Sequence, residues 1–344
     1  MQAAVMRALN EPLRIEEVPT PEPGPGEVCV RIQASGLCSS DLHYMKGDSP
    51  VGKMPIILGH EMAGVVCGTG PGAAARKEGD RVAVHYLVTC GECDLCKSGN
   101  ENFCASGQML GKTIDGGFAQ FVVIPEANAI PVPDDVPIEH AAVACDAIAT
   151  PYHAVKLARV AEGDTALIIG LGGLGIHAVQ LPKLFGAKTV IAADLSQAKL
   201  DLARRLGADH TINPSCEDLL DRVRELTSGR GVDVAIELIG LKDTLEVAVQ
   251  SLAPRGRMVI VGICPAKIEV HPYYDILLKE AVVTGNCDHV STDLQDVLGL
   301  IQQGRLDLSR SVSRRIKLSD VNDGFRVLRD REQDPVRIVI TEME

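Results

Sequence analysis

The chain of 344 residues contains no tryptophan, and aromatic residues make up only 3% of it. It has no apolar run near the roughly 20 residues that a membrane-spanning helix requires, so we expect no membrane partner. Its formal net charge of −12 offers no excess of positive charge for a phosphate backbone, so we expect no nucleic-acid partner. With 46% hydrophobic and 23% charged residues, the composition is that of a globular protein.

The first residues, MQAAVMRALNEPLRIEEV, lack the order of charged, apolar and small residues that marks a secretory signal. We therefore expect a cytoplasmic protein. Eleven cysteines, an odd number, then predict reduced thiols or metal ligands rather than disulfides. Four of them fall between residues 90 and 104, and the others are scattered, as small buried apolar side chains usually are.

The two parts of the chain differ in pattern. Up to about residue 145 the sequence is rich in Gly and Pro, with short β-like runs such as VCVRI and RVAVHYLV, which predicts a mainly β domain. From about residue 147, apolar runs such as TALIIG and TVIAAD alternate with amphipathic stretches, which is typical of βαβ units around a parallel sheet. Two domains are expected, because single hydrophobic cores stop growing near roughly 250 to 300 residues.

A glycine-rich motif, GLGGLG, follows the run TALIIG and opens a helix-length segment. This order of strand, glycines and helix predicts a dinucleotide-binding loop. Gly170 permits a tight turn, Gly172 lets backbone approach the pyrophosphate, and Gly175 allows the helix to pack closely on the strand. The loop residues expected to bind the cofactor are Gly170, Gly172, Gly173, Leu174 and Gly175.

Asp194 ends the next apolar run, where its carboxylate would accept hydrogen bonds from the adenosine ribose hydroxyls. A carboxylate at this place repels a 2′-phosphate, and the following LSQA supplies no Arg to bind one. NAD is therefore favoured over NADP.

A second motif, C-x2-C-x2-C-x7-C, predicts a metal site made by Cys90, Cys93, Cys96 and Cys104. Four thiolates can close a tetrahedral shell around zinc, which leaves no position for substrate and indicates a structural zinc. An iron–sulfur cluster also uses four cysteines, but the ferredoxin spacing is absent. The acidic residues among the ligands, namely Glu92, Asp94 and Glu101, argue against a nucleic-acid-binding ribbon.

Over essentially its whole length the chain resembles the zinc-containing medium-chain alcohol dehydrogenases. The resemblance is carried, in the order of the family, by GLCSSDLH, GHEMAG, EGDRV, the four cysteines, GGFAQF, TPYHA, GLGGLG and VRIVI. It implies an α/β protein with a mainly β, GroES-like catalytic domain at residues 1–147 and 288–344. Residues 148–287 would form a doubly wound Rossmann domain with a six-stranded parallel sheet that binds NAD, with the active site in the cleft between the domains.

The resemblance also implies a catalytic zinc held by a Cys, the His of GHE and a third protein ligand. Cys38 and His60 match the first two positions. Glu61 is expected beside the zinc, either as an occasional ligand or only as a hydrogen-bond acceptor. With the four-cysteine site, the chain would hold two zinc ions per subunit.

The third ligand lies, in the family, four residues before a Thr and six before a Tyr or similar residue. Counting back from Thr150 and Tyr152 selects Asp146 rather than Cys145, which we expect to be a core thiol. Classical members carry Cys at this position, and polyol and threonine dehydrogenases carry an acidic residue. Asp146 is therefore compatible with either a simple alcohol or a polyol as substrate.

Other roles carried over from the family complete the expected site. Ser40 and His43 match a relay that moves the alcohol proton through a hydroxyl, the cofactor ribose and an imidazole to solvent, and Asp41 matches the carboxylate that orients the ligand His. Further matching positions are Lys199, Thr150 and Arg337 for the cofactor, with Arg337 at its pyrophosphate, and Tyr86 and Tyr44 for the substrate pocket.

The resulting hypothesis is a zinc-dependent alcohol dehydrogenase that transfers hydride reversibly between an alcohol and NAD. Because aromatic residues are few, an apolar or cyclic secondary alcohol is the favoured small-molecule substrate. The alternatives are a polyol or L-threonine dehydrogenase of the same superfamily and, from another class, a catalytically silent redox sensor that binds zinc and NAD. The family implies a homodimer or homotetramer.

Overall fold

The computed structural model describes residues 1–344 and divides into two compact units. The first unit comprises Met1–Ala149 and His289–Glu344, and the second comprises Thr150–Asp288. None of the helices combines the length and the apolar character that crossing a membrane requires.

The strands, in chain order, are β1 (Gln2–Met6), β2 (Arg14–Glu17), β3 (Glu27–Leu37), β4 (Ile56–Ile57), β5 (Glu61–Thr69), β6 (Arg81–Val84), β7 (Leu87–Val88), β8 (Gln108–Met109), β9 (Phe121–Pro125), β10 (Ala129–Pro131), β11 (Thr165–Ile169), β12 (Thr189–Ala193), β13 (His210–Ile212), β14 (Val232–Glu237), β15 (Leu252–Ile260), β16 (Val282–Gly285), β17 (Val312–Lys317) and β18 (Arg337–Glu342). The α-helices are α1 (Ser39–Lys46), α2 (Asp94–Lys97), α3 (Ile138–Val143), α4 (Ala149–Leu157), α5 (Gly175–Ala178), α6 (Leu181–Leu184), α7 (Gln197–Arg205), α8 (Leu219–Leu226), α9 (Lys242–Gln250), α10 (Ser291–Gln302) and α11 (Val321–Asp330). Short 3-10 helices cover Glu101–Phe103, Glu126–Asn128 and Leu318–Asp320, and π-helical turns cover Ala144–Ile148 and Pro272–Leu277.

The first unit is built mainly of β-structure. Its principal sheet runs β10-β6-β5-β3-β18-β17, with β9 also paired to β3, and smaller sheets join β2-β1-β4 and β7-β8. Strand β3 is the centre of this sheet, because it pairs antiparallel with β5, β9 and β18. Strand β18 comes from the far end of the chain and puts Ile338 opposite Leu37, so the last strand lies beside the end of β3.

The second unit contains a six-stranded parallel sheet in the order β13-β12-β11-β14-β15-β16. Counted along the chain, this order is 3-2-1-4-5-6, which is the doubly wound arrangement of dinucleotide-binding folds. The central strands are buried almost throughout, as the continuous apolar runs predicted, because helices cover both faces of such a sheet. The expected fold class, a mainly β part with a parallel Rossmann-like part, is confirmed.

The segment after GLGGLG differs from the single helix that we expected. It forms two short helices, α5 and α6, with Val179 and Gln180 between them. Pro182 explains the interruption, because it has no amide hydrogen to donate to the carbonyl of Ala178 and its ring crowds the preceding turn.

Candidate functional site

Four buried side chains of the first unit, Cys38, His60, Glu61 and Asp146, form a cluster that we call the buried cluster. Each offers one possible ligand atom, and these atoms all lie within 4.8 Å of one another. Cys38 follows β3 as the N-cap of α1, and Glu61 begins β5 directly after His60. Because β3 pairs with β5, with Gly36 opposite Glu61, the sheet brings Cys38 and His60 together from distant parts of the sequence.

Asp146 reaches the cluster from the π-helical turn Ala144–Ile148, which joins α3 to α4 and is entirely buried. Its Oδ2 atom lies 3.4 Å from Cys38 Sγ and 3.7 Å from His60 Nε2. The neighbouring Cys145 thiol instead donates hydrogen bonds to the carbonyl oxygens of Met62 and Ala141, both at 3.3 Å. Burial raises the pKa of Cys145 to about 12, so this thiol stays protonated within the core. π-Helical turns are often found at functional sites.

Arg337 places a guanidinium beside the buried cluster, and only 1% of its surface is exposed. Its Nη2 atom lies 2.5 Å from Glu61 Oε1, 3.2 Å from Asp146 Oδ2 and 3.6 Å from Cys38 Sγ. The sequence had suggested a cofactor role for Arg337 and had not indicated these contacts. The sequence does contain a sign of these ion pairs, because an Arg inside the apolar strand VRIVI has to be paired with an acidic group if the strand is buried.

The electrostatics of the cluster reflect its burial. Burial raises the pKa of Glu61 to about 8, although the positive charge of Arg337 acts to lower it. Burial acts to lower the pKa of His60, but Asp41, Asp146 and Cys38 together raise it well above its ordinary value. The Oε2 atom of Glu61 is buried without a hydrogen-bond partner. The cluster therefore combines acidic and imidazole groups in an arrangement that favours an added cation.

The buried cluster fits a zinc ion by its chemistry and its spacing. Ligand atoms about 2.0–2.3 Å from a tetrahedral zinc lie roughly 3.3–3.8 Å apart, and thiolate, imidazole and carboxylate are all zinc ligands. The distances of 3.4 Å from Cys38 to Asp146 and 3.7 Å from His60 to Asp146 fall within this range.

The four-cysteine lobe, residues 90–104, fits zinc equally well. The Sγ atom of Cys90 lies 3.8 Å from that of Cys96 and 3.5 Å from that of Cys104, and the Cys93 and Cys96 sulfur atoms are 3.5 Å apart. The short helix α2 supports this arrangement, because Cys93 is its N-cap and accepts a hydrogen bond from the amide of Cys96. All four groups are thiols, so a metal here would have a closed shell.

Asp41 links two members of the buried cluster. Its Oδ2 atom accepts a hydrogen bond from the Cys38 amide at 3.1 Å, and its Oδ1 atom lies 3.4 Å from His60 Nδ1. Ser40 on the same helix has its Oγ atom 3.6 Å from Cys38 Sγ. His43, one turn further along α1, is partly exposed and lies 3.2 Å from Asp48 through its Nδ1 atom.

Two tyrosine rings pack edge-on against the imidazole of His60. The centroid of Tyr86 is 5.4 Å from that of His60 and the centroid of Tyr44 is 6.5 Å away, and both tyrosines are buried. The ring of His289 packs against Tyr86 at 5.0 Å, with its Nδ1 atom 3.4 Å from the Tyr86 hydroxyl. His289 was not predicted from the sequence, because its position carries no motif.

The glycine-rich loop of the second unit lies between β11 and α5. Gly170 has φ 92°, and a Cβ atom on Gly175 would lie 1.7 Å from the Gly170 carbonyl oxygen, so the turn requires glycine at both positions. At Gly172 nothing lies within 4 Å of an added Cβ, which leaves room for a ligand. Asp194 accepts hydrogen bonds from the Leu171 amide at 2.7 Å and the Ser196 amide at 2.9 Å.

The other residues with an expected cofactor role are distributed between the two units. Lys199 lies on α7 and is largely buried, and Thr150 lies on α4, both within the second unit. Arg337 belongs to the first unit.

Comparison with known proteins agrees with this architecture. Residues 24–134 match the model of the alcohol dehydrogenase GroES-like domain, and residues 173–303 match that of the zinc-binding dehydrogenase. An alcohol dehydrogenase of Geobacillus stearothermophilus is 37% identical over 94% of this chain and 95% of its own length. An L-threonine 3-dehydrogenase of Rhizobium etli (strain CIAT 652) is 32% identical over 96% of this chain and 95% of its own length.

Among solved structures, one from Sinorhizobium meliloti 1021, described as a zinc-binding dehydrogenase bound to NADP, has a TM-score of 0.91 at 30% identity. It covers 99% of this chain, which in turn covers 98% of it. The chain belongs to the zinc-containing medium-chain alcohol dehydrogenase family, as the resemblance predicted. It is an oxidoreductase of the dehydrogenase type.

Proposed function

We propose that the protein is an NAD-dependent alcohol dehydrogenase with one catalytic and one structural zinc per subunit. The observation that carries the proposal is the convergence of Cys38, His60 and Asp146 in a buried position, with ligand atoms within 4.8 Å of one another. These three residues would hold the catalytic zinc, with Glu61 close by, and Cys90, Cys93, Cys96 and Cys104 would hold the structural one. The bound zinc would supply Lewis acidity that stabilises negative charge on the oxygen of the alcohol.

The protein residues around the cluster hold it in one geometry. Asp41 orients the imidazole of His60 and accepts a hydrogen bond from the Cys38 amide. One buried carboxylate therefore positions both proposed ligands. Arg337 offsets the negative charge of Asp146 and limits the rise in the pKa of Glu61. Tyr86 and Tyr44 fix the edge of the His60 ring and would form part of the wall against which the substrate binds.

The alcohol proton needs a route out of a buried site. Ser40 lies within 3.6 Å of the Cys38 sulfur, and its hydroxyl would accept this proton. His43 lies on the same helix at the surface, where its imidazole would pass the proton to solvent, since an imidazole can both accept and release a proton.

The cofactor would bind along the glycine-rich loop. Gly170, Gly172, Gly173, Leu174 and Gly175 would hold its pyrophosphate, and Thr150 and Lys199 of the same unit would contribute further contacts. Bound there, the cofactor supplies the acceptor for hydride. Asp194 supports NAD, because its carboxylate at the end of β12 would repel the 2′-phosphate of NADP. The solved S. meliloti structure is described as bound to NADP, which is a property of that protein. Whether this chain uses NAD or NADP is decided by a direct test.

The test is the appearance of NADH fluorescence when the zinc-loaded protein is mixed with NAD and a panel of alcohols. We expect turnover with apolar or cyclic secondary alcohols and a much lower kcat/KM with NADP in place of NAD. Faster turnover with L-threonine or a polyol would favour the second candidate function, a polyol or L-threonine dehydrogenase. The similarity to the L-threonine 3-dehydrogenase of Rhizobium etli supports this candidate. No turnover with any of these would favour the redox sensor and contradict the proposal.

A matched pair of variants tests the metal ligand. Asp146→Ala is expected to lose one zinc of two per subunit together with activity, whereas Cys145→Ala, one residue away, should keep both zinc ions. Metal content is measured by atomic emission spectroscopy after removal of free zinc. Loss of zinc from Cys145→Ala but not from Asp146→Ala would reverse the assignment.

We also propose a homodimer or homotetramer formed through the edge of the parallel sheet. Strand β16 lies at that edge, and its Val282 and Val283 are exposed, as are Tyr273, Tyr274, Leu277 and Leu278 nearby. An edge strand with exposed apolar side chains is a surface that pairs with a second copy. Val283→Lys should shift the mass measured by light scattering toward one subunit, and an unchanged mass would contradict this interface.

A further inference from the structure

Cys29 and Cys67 form a thiol pair that none of the roles above uses. Their sulfur atoms are 3.5 Å apart, and Cys67 Sγ also lies 3.4 Å from the Cys29 carbonyl oxygen. Cys29 lies on β3 and Cys67 on the neighbouring β5. The pairing of these strands shifts here, because Cys29 is opposite Gly68 while Val30 is opposite Val66. Cys67 is therefore the extra residue of a β-bulge, which turns its side chain towards Cys29.

The two thiols differ in accessibility. Cys67 is exposed, whereas Cys29 is buried with 6% of its surface accessible. Burial, with the neighbouring Cys67 thiol, raises the pKa of Cys29 to about 12, so Cys29 keeps its proton. A soluble reagent thus meets Cys67 first, with Cys29 already in van der Waals contact behind it. The sulfur atoms of a disulfide are about 2.05 Å apart, a distance that a modest rotation of the two side chains would reach.

We propose that Cys29 and Cys67 form a disulfide when the protein meets hydrogen peroxide. Cys67 loses its proton, and its thiolate attacks one peroxide oxygen. The O–O bond breaks, which gives a sulfenic acid on Cys67 and a hydroxide that takes up the proton as water. The Cys29 sulfur then attacks the Cys67 sulfur, the S–O bond breaks, and the oxygen leaves as a second water with the Cys29 proton. Two thiols are oxidised and one peroxide is reduced.

The position of this pair decides what the disulfide does. Strand β3 leads into Cys38, and β5 begins immediately after His60, so the two strands carry two of the proposed zinc ligands at one end of their pairing. Cys29 and Cys67 lie at the other end, where Cys29 is opposite Gly68. The disulfide joins the strands without touching the buried cluster. The disulfide therefore makes β3 and β5 harder to separate and leaves the proposed zinc site unchanged.

The experiment uses the zinc-loaded protein, in which bound metal occupies the cysteines of the lobe. The protein is treated with a small excess of hydrogen peroxide, its remaining thiols are alkylated, and it is digested with trypsin without reductant. Cleavage gives peptides 15–31 and 54–76, each with a single cysteine. We expect these two peptides joined, with a mass about 2 Da below their sum, and separated again by a reductant.

Two variants control the result. Cys67→Ser should abolish the joined peptide, and Cys216→Ser, which removes another exposed thiol, should leave it in place. The oxidised wild type should also unfold at a higher temperature than the reduced protein, a difference that Cys67→Ser lacks. Recovery of the two peptides apart, either alkylated or oxidised beyond the sulfenic acid, would overturn the proposal, as would a cross-link from Cys67 to any cysteine other than Cys29. None of these outcomes depends on dehydrogenase activity.

Discussion

Replacement of Arg337 by methionine tests whether the charges of the buried cluster compensate one another. The guanidinium contacts Glu61 and Asp146 at 2.5 Å and 3.2 Å, with all three groups buried. Removing one partner of a buried ion pair costs about 3–5 kcal/mol, because the remaining charge is left unpaired in a medium of low polarity. We take the lower end of about 3 kcal/mol, since Glu61 can relieve part of the cost by taking up a proton.

A loss of about 3 kcal/mol corresponds to a fall of about 6 to 12 °C in the unfolding temperature of a unit of roughly 150 to 250 residues. The assay is thermal unfolding at about pH 9, above the pKa of about 8 for Glu61, so that this carboxyl is ionised before the substitution. Unfolding is followed by circular dichroism and calorimetry, since a chain without tryptophan gives little fluorescence signal. The loss should grow when zinc is removed by a chelator, because the positive charge of the metal then no longer offsets the carboxylates of the cluster.

The double variant Arg337→Met with Glu61→Gln provides the control. Neutralising Glu61 removes the charge that Arg337 offset, so the double variant should be more stable than Arg337→Met alone. The reasoning is refuted if Arg337→Met shifts the unfolding temperature by no more than a surface substitution does. It is also refuted if the double variant loses the sum of the two single effects.

Three further predictions concern the second unit. Gly175→Ala should weaken NADH binding at least tenfold in a fluorescence titration and leave the zinc content unchanged, because its Cβ would lie 1.7 Å from the Gly170 carbonyl oxygen; unaltered binding would show that the turn yields easily. Asp194→Gly should raise kcat/KM with NADP relative to NAD by about tenfold or more, since the repulsion of the 2′-phosphate is removed, and an unchanged ratio would point to another determinant. For Asp233, burial acts to raise its pKa, but hydrogen bonds from Arg230 and from the Thr165 amide lower it below its ordinary 3.8. A lowered pKa gives stability that is present above the ordinary value and lost as the pH falls through the folded value. Urea unfolding should therefore show a loss of stability below about pH 4 that is smaller in Asp233→Asn, and equal losses would contradict this role.

Local sequence patterns predicted much of the fold, because apolar runs, glycines and cysteine spacing report on nearby structure. GLGGLG is an example, since the turn needs glycine at Gly170 and Gly175 whatever the rest of the chain does. Spacing to Thr150 and Tyr152 likewise selected Asp146, and the structure places that carboxylate, and not the Cys145 thiol, among the other candidate ligands.

Contacts between distant residues were beyond such patterns. Arg337 meets Cys38 across 299 positions of sequence, and His289 meets Tyr86 across 203. Both contacts depend on which strands pair, and no short window of sequence contains that information. The Cys29 and Cys67 pair was hidden for the same reason, because a bulge in the register of β3 against β5 decides where Cys67 points.

The pairing of β18 with β3 has a consequence for the order in which the molecule can be completed during synthesis. Strand β3 and its neighbour β5 emerge early, and the acidic groups that they help to bury lack the guanidinium of Arg337 until that residue follows, after the whole second unit has been made. The edge of β3 beside Cys38 stays unpaired for the same period, because Ile338, Val339 and Ile340 cover it. The first unit therefore cannot finish folding on the ribosome as an independent body. Until its last strand arrives, it is an open sheet whose buried carboxyl groups lack their arginine partner.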